Sequence, residues 1–317
     1  MRAATGVATG VQFELKAVTP SGPATAIITE VAAGIRAYSV NGIDLVEAFP
    51  AASGPPKGAG IVLVPWPNRI RDGSWTQRGV TRQLSLSEPD LRNASHGLLR
   101  FAPYREVGRT ASSVTLSATV FPQTGYPFQL DTEVTYTLVA DGLEVTHALR
   151  NVGEADAPVA LGTHPYLKIG DVPTGDLVLR LAAGTHIDVD DRKNAVGESP
   201  VDGTPFDLRA GRSVGDLDLD DGFGAVDIVA GRCEHSLTAP DGRKVTLWGD
   251  ENMRYVQAFT PRNFPITVGD AEPQLGQAVA IEPMTAPADA FNSGKGLRWL
   301  EPGESWTLRW GIRHQGF

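Results

Sequence analysis

The chain has little of what marks the commonest membrane, secreted, nucleic-acid and cofactor proteins. Among 317 residues there is one cysteine, Cys233, so no internal disulfide can form. The opening stretch MRAATGVATGVQFELKAV lacks the continuous apolar segment of a secretory signal. Together these lead us to expect a cytoplasmic, reduced protein. No window approaches 18 uninterrupted apolar residues, so we expect no membrane partner. Basic residues are outnumbered 28 to 37, for a formal net charge of -9, and no basic run interrupts the acidic background. Nothing there would draw the chain to a phosphate backbone, so we expect no nucleic-acid partner.

Chemical signatures are equally sparse. No G-x-S-x-G elbow, phosphate-binding loop or dinucleotide G-x-G-x-x-G stands in a suitable strand and helix context. None of the six histidines pair at the close spacings of zinc sites, and the cysteine lies apart from them. The acidic run DLDLDDG places Asp216, Asp218 and Asp220 at the first spacings of a calcium loop. Asp221, however, stands where that loop requires Gly, and Asp227 stands where it requires a bidentate Glu. A solvated acidic turn is the simpler reading. We therefore expect no metal and no cofactor, which leaves acid and base work by side chains alone.

What is present is β-structure. With 41% hydrophobic residues the chain can fill a large core. Its 35 glycines and 23 prolines cut it into short runs that alternate apolar and polar, the period-2 pattern of half-buried strands. AGIRAYSV meets IDLVEAF across Asn41-Gly42, a dipeptide that tolerates the positive φ of a tight hairpin. Phe128, Leu130, Val134, Tyr136 and Leu138 share one face of a strand. Beyond Asp141-Gly142, a second run presents Leu143, Val145 and Leu149. HSLTA and KVTLW flank the turn PDGR, and Trp306, Leu308, Trp310 and Ile312 alternate at the C-terminus. Residues 186 to 213 read as a long irregular insertion, of the kind that often borders a ligand site. With neither a repeat nor a clear linker, we take residues 1–317 as one all-β domain.

A few polar residues interrupt the apolar pattern. His147 is in register with Leu143, Val145 and Leu149 and should be a hydrogen-bonded core residue. His96 and His164 fall at breaks between strand-like runs, where both solvated and working histidines occur. Glu282, in QAVAIEPMTAP, ends an apolar strand. It is either turned into water or paired and used, in which case a raised pKa would make it a usable base.

Five segments taken in order, NRIRDG, SHGLLR, GTHPYL, LDDGF and AIEPMTAPADAFNSGKGLRWLEPGES, resemble the aldose 1-epimerase (mutarotase) family over residues 25 to 314. The resemblance implies a large antiparallel β-sandwich with a carbohydrate cleft, acting on a monosaccharide as a monomer or homodimer. It implies Glu282 as general base, His164 as general acid and His96 as a second histidine that orients or polarises the sugar. Arg69 and Asp220 would hold ring hydroxyls, with Asp221 as the competing choice of acid. Gln257 and Tyr166 would line the cleft, and Asn68 would brace Arg69. Trp66 and Trp75 fit the core as well as they fit a sugar face. Two alternatives stay open: a sugar-phosphate enzyme drawing on Arg71, Arg100 and Arg105, and a binding-only module on the same scaffold.

Overall fold

The computed structural model describes residues 7–267 and 272–317. It is nearly all β, with 52% strand and 4% helix, and its sheets are antiparallel. Among the described residues the α-helix amounts to one turn, Ala290–Ser293.

Two large sheets carry the structure. The nine-stranded one runs, in spatial order, Arg105–Arg109, Ser113–Val120, Leu130–Val139, Gly142–Asn151, Ser305–Gln315, Lys244–Asp250, Arg232–Thr238, Val178–Arg180 and Arg212–Ser213. The eight-stranded one runs Ala195–Pro200, Ala183–Val189, Asp220–Val226, Tyr255–Phe259, Val279–Met284, Gly162–Thr163 and Val62–Leu63, with Tyr166–Leu167 also paired to Val279–Met284. Val145, Leu247, Leu308 and Ile312 of the first sheet and Phe223, Val256, Val279 and Ile281 of the second belong to one contiguous buried cluster. The expected apolar faces are therefore real faces of one core. Trp66 and Trp75 are core residues as well, each packed edge-on to Phe291.

The Asn41-Gly42 hairpin forms as expected, with both residues at positive φ (52° and 77°). At the second hairpin the turn lies one residue earlier than Asp141-Gly142 suggests, since Val139 already pairs with Gly142. Gly142 serves a different need: a Cβ there would lie 2.1 Å from the carbonyl oxygen of Ile312 on the neighbouring strand. The expected irregular insertion is also corrected. Its first half is an ordered hairpin, Ala183–Val189 paired to Ala195–Pro200 at the sheet edge, and the irregular part begins at residue 201. The second strand of that hairpin buries only its first residue and one other even partly, so it shows no apolar alternation.

His147 is fully buried and accepts a hydrogen bond from Trp310 Nε1 at 3.0 Å, as a core histidine should. His235 likewise accepts the Ala182 amide at 3.2 Å. Burial holds both rings neutral, with pKa values pushed down to about 3. Histidines that refuse a proton in the fold accept one near pH 6.5 when unfolded. Stability is thus intact above that pH and is lost as pH falls below it, until the folded values are reached. Replacing both histidines by Gln should make the urea midpoint fall less between about pH 6.5 and pH 4.5 than in the parent, and an unchanged pH profile in that variant would contradict the assignment.

Candidate functional site

Strand alternation builds the site. Along Val279–Met284, Val279 and Ile281 enter the core while Ala280 and Glu282 face the other side of the sheet. All six residues are buried, and Glu282 is 2% exposed, so the strand-end acid is not turned into water. Gln257 lies directly across the ladder from Glu282, and Asp220 follows on the next strand, where it pairs with Phe259.

His164 occupies the two-residue break between Gly162–Thr163 and Tyr166–Leu167. Its amide donates to Ile61 and its carbonyl accepts from Gly60, so the break is held at both ends. The ring stacks on Tyr166 (centroids 5.1 Å, 19°), and Nε2 lies 3.3 Å from Glu282 Oε1. His96 follows the strand Asn93–Ser95 with φ of 62°, donates its amide to Asn68, and sets its ring edge-on to His164 at 5.5 Å. Gly97, next to it, has φ of 71°, and a Cβ there would lie 2.0 Å from the Val64 carbonyl oxygen. No other residue fits there without moving His96.

Beside these three runs a polar chain. Asn68 Nδ2 donates to Gln257 Oε1 at 3.0 Å, and Gln257 Nε2 donates to Asp220 Oδ1 at 2.9 Å. Arg69 Nη2 lies 3.6 Å from Asp220 Oδ2, and a bond from Nη1 to Asn68 Oδ1 at 3.5 Å gives the expected brace. Asp221 points away, to His186 at 2.9 Å, whereas Asp220 lines the cavity. Seven of the eight residues singled out in the sequence, Asn68, Arg69, His96, His164, Asp220, Gln257 and Glu282, line one cavity of about 350 Å³.

Residues 18–313 match the aldose 1-epimerase family. The chain belongs to that family. It is 32% identical to the uncharacterized protein YihR of Escherichia coli K12 over 292 residues, 92% of this chain and 90% of the relative. The fold is similar to that of a GalM/aldose epimerase homologue from C. elegans (TM-score 0.82, 18% identity, 96% of this chain and 99% of that one). It is also similar to a galactose 1-epimerase from Lactobacillus acidophilus NCFM (TM-score 0.75, 19% identity, 96% and 94%).

The structure of this family member corrects several expectations. Tyr166 does not line the cavity: it is buried behind His164, packed on Phe264 at 4.5 Å, and supports the ring. Arg71 lies outside the cavity, 3.6 Å from Asp190, and donates to the Ala195 carbonyl. Arg105 is exposed on an edge strand, so of the three arginines considered for a phosphate only Arg100 lines the cavity. Of the cavity residues that the sequence reading did not single out, Glu88 makes the strongest polar contact. Glu88 holds Arg69 with two bonds, at 2.9 and 3.3 Å, yet nothing in LSEPD announces it 19 residues away.

Burial, reinforced by Asp220 and opposed by Arg69, holds the Glu282 carboxyl well above the usual range, in the anticipated direction. His164 does not keep an ordinary imidazole value, because burial pushes it down to about 4. His96 is lowered as well, by burial and then by His164, Arg69 and Arg100. Both shifts push the free pair toward a protonated Glu282 beside a neutral His164.

Proposed function

We propose that the protein is an aldose 1-epimerase that interconverts the α and β anomers of a monosaccharide by acid and base ring opening. The observation that carries the reading is the buried Glu282–His164 pair, 3.3 Å apart, in a cavity flanked by the Arg69, Asp220 and Gln257 arms. Ring opening removes the proton of the C1 hydroxyl, breaks the bond from C1 to the ring oxygen and places a proton on that oxygen. An ionised Glu282 takes the first proton and a charged His164 supplies the second. After rotation about the C1–C2 bond, His164 recovers its proton from the C5 hydroxyl and Glu282 returns one to the new anomeric oxygen. Each transfer made in place contributes roughly 10²- to 10⁴-fold.

The direction of both shifts suits a pair that shares one transferable proton. Protonated Glu282 with neutral His164, and ionised Glu282 with charged His164, differ only in where one proton sits. A sugar hydroxyl and ring oxygen that stabilise the charged form would draw out the reactive arrangement with no exchange with solvent. Arg69, Asp220 and Gln257 supply donors and acceptors for ring hydroxyls, and their mutual bonds fix those groups beforehand.

One observation favours a second reading, a sugar bearing an anionic group. Arg100 and Lys57 line the cavity, and neither makes an ion pair among the described residues, whereas Arg69 is matched by Glu88 and Asp220. Polarimetry on freshly dissolved single anomers, free and phosphorylated, tests both readings. Faster decay of rotation for a neutral aldose supports the first, and acceleration confined to anionic sugars supports the second. Binding without acceleration across the panel would make the protein a carbohydrate-binding module. Because activity requires one proton on the pair, the acid limb of the rate should fall near pH 4, the value of His164, rather than near 6.5.

A further inference from the structure

Behind Asp220, on the side away from the cavity, lies a charged cluster that the chemistry above does not use. His186 is 7% exposed on the strand Ala183–Val189, paired in register with Phe223. Each of its ring nitrogens faces a carboxylate: Nδ1 is 3.1 Å from Asp188 Oδ1 and Nε2 is 2.9 Å from Asp221 Oδ1. A neutral imidazole has one N–H and one lone pair. Either neutral tautomer would thus set a lone pair against a carboxylate oxygen, and only the doubly protonated ring satisfies both contacts. Asp221 then passes the constraint on, since its second oxygen accepts the Asp220 amide at 3.0 Å.

We propose that His186 is a positioning residue for Asp220: as an imidazolium bridging Asp188 and Asp221 it fixes the Asp221 carboxylate on the Asp220 amide, and so keeps Asp220 in place for sugar binding. The inference rests on the cavity being the sugar site. Without the second ring proton, one carboxylate meets a lone pair and turns away. Where that carboxylate is Asp221, the Asp220 amide loses its acceptor and only Gln257 and Arg69 still hold the residue, while Glu282 and His164 keep their contacts. The effect should fall on KM and not on kcat.

The surroundings fit this role. Phe206 stacks on the ring (3.7 Å, 13°) and Phe223 meets it edge-on, so two sides of the cation carry no charge. Ser199 from the neighbouring strand donates to Asp188. The other charged group on that strand, Glu198, is occupied by Thr185 at 2.7 Å and Lys295 at 2.8 Å. Burial opposes the charge on His186, but the bonds to Asp221 and Asp188 outweigh it and raise its pKa above the ordinary value. The bridge is therefore complete below about pH 6.5 and is lost as pH rises through the folded value.

The test measures KM and kcat against pH for the intact enzyme, His186→Gln and Asp188→Asn, with the His186 ring and the Asp220 amide followed by NMR. In the parent, KM should rise with pH in step with loss of the ring proton while kcat holds. His186→Gln should raise KM on the order of tenfold at pH 6, the loss of one charge-assisted bond, and flatten its pH dependence. Asp188→Asn, altered at a half-exposed side chain, should move the KM transition to lower pH, which settles the matter if the glutamine variant does not fold. Identical KM profiles in parent and variants would overturn the proposal. If no sugar is turned over, the epimerase reading fails by itself. The NMR then decides: an Asp220 amide that shifts with the ring titration supports the bridge, and one that stays still refutes it.

Discussion

Replacing Glu282 with Gln is expected to slow catalysed anomer exchange by roughly 10²- to 10⁴-fold, while the protein still folds and still binds its sugar. Gln keeps the volume and one acceptor oxygen but cannot take the C1 hydroxyl proton. The same change should stabilise the fold. A carboxyl whose folded pKa is raised adds no penalty below the unfolded value of about 4.3, and an increasing one as pH climbs toward the folded value. The variant should therefore melt higher than the parent at pH 7, with the difference vanishing near pH 4. Thermal scans at both pH values check this, and a variant that melts lower at pH 7 would mean that Glu282 is ionised and paired in the resting protein. Higher stability with lower activity is the pattern of a group kept for chemistry.

The second large effect is expected at Arg69. Its guanidinium is 14% exposed and holds Glu88, at 25%, and Asp220, at 24%. Arg69→Leu would leave both carboxylates without their shared guanidinium, in a cavity that also holds Glu282. Losing one member of a mostly buried ion pair costs about 3 kcal/mol. The sugar would also lose a planar fork of donors, which should raise KM by about 10- to 100-fold. Arg69→Lys should recover part of the stability but little of the binding, because an ammonium cannot span two acceptors in one plane. Urea melts of both variants, set beside their KM values, separate the contributions. Equal recovery of both by Lys would show that only the charge matters.

The parts of this structure legible in the sequence are those where a residue's neighbours on one strand decide its environment. Trp306, Leu308, Trp310 and Ile312 read as a buried face because alternation and burial go together, and His147 read correctly from the same register. The strand Ala195–Pro200 did not, because a polar edge strand has no apolar face to alternate. Gly142 misled for a related reason: a glycine beside Asp looks like a turn, and the close strand that requires it lies 170 residues further along the chain. In the candidate site, six of the seven cavity residues sit inside the five resembling blocks, and Gln257 lies outside them in YVQAFT. Glu88 reaches the cavity only through its tertiary contact with Arg69, and Tyr166 was misplaced because its motif sets its position but not which way its ring packs. The downward shift of His164 was hidden for the same reason, since burial arises from residues scattered between Gly60 and Glu282.

The central claim concerns the placement of two proton-transfer groups about one carbon. A crystal structure of the Glu282→Gln variant with a bound monosaccharide tests it most directly, because the variant should hold a sugar without turning it over. The C1 hydroxyl should lie within hydrogen-bond reach of residue 282 and the ring oxygen within reach of His164 Nε2, with Arg69 and Asp220 on ring hydroxyls. A sugar bound with C1 turned away from both groups would contradict it.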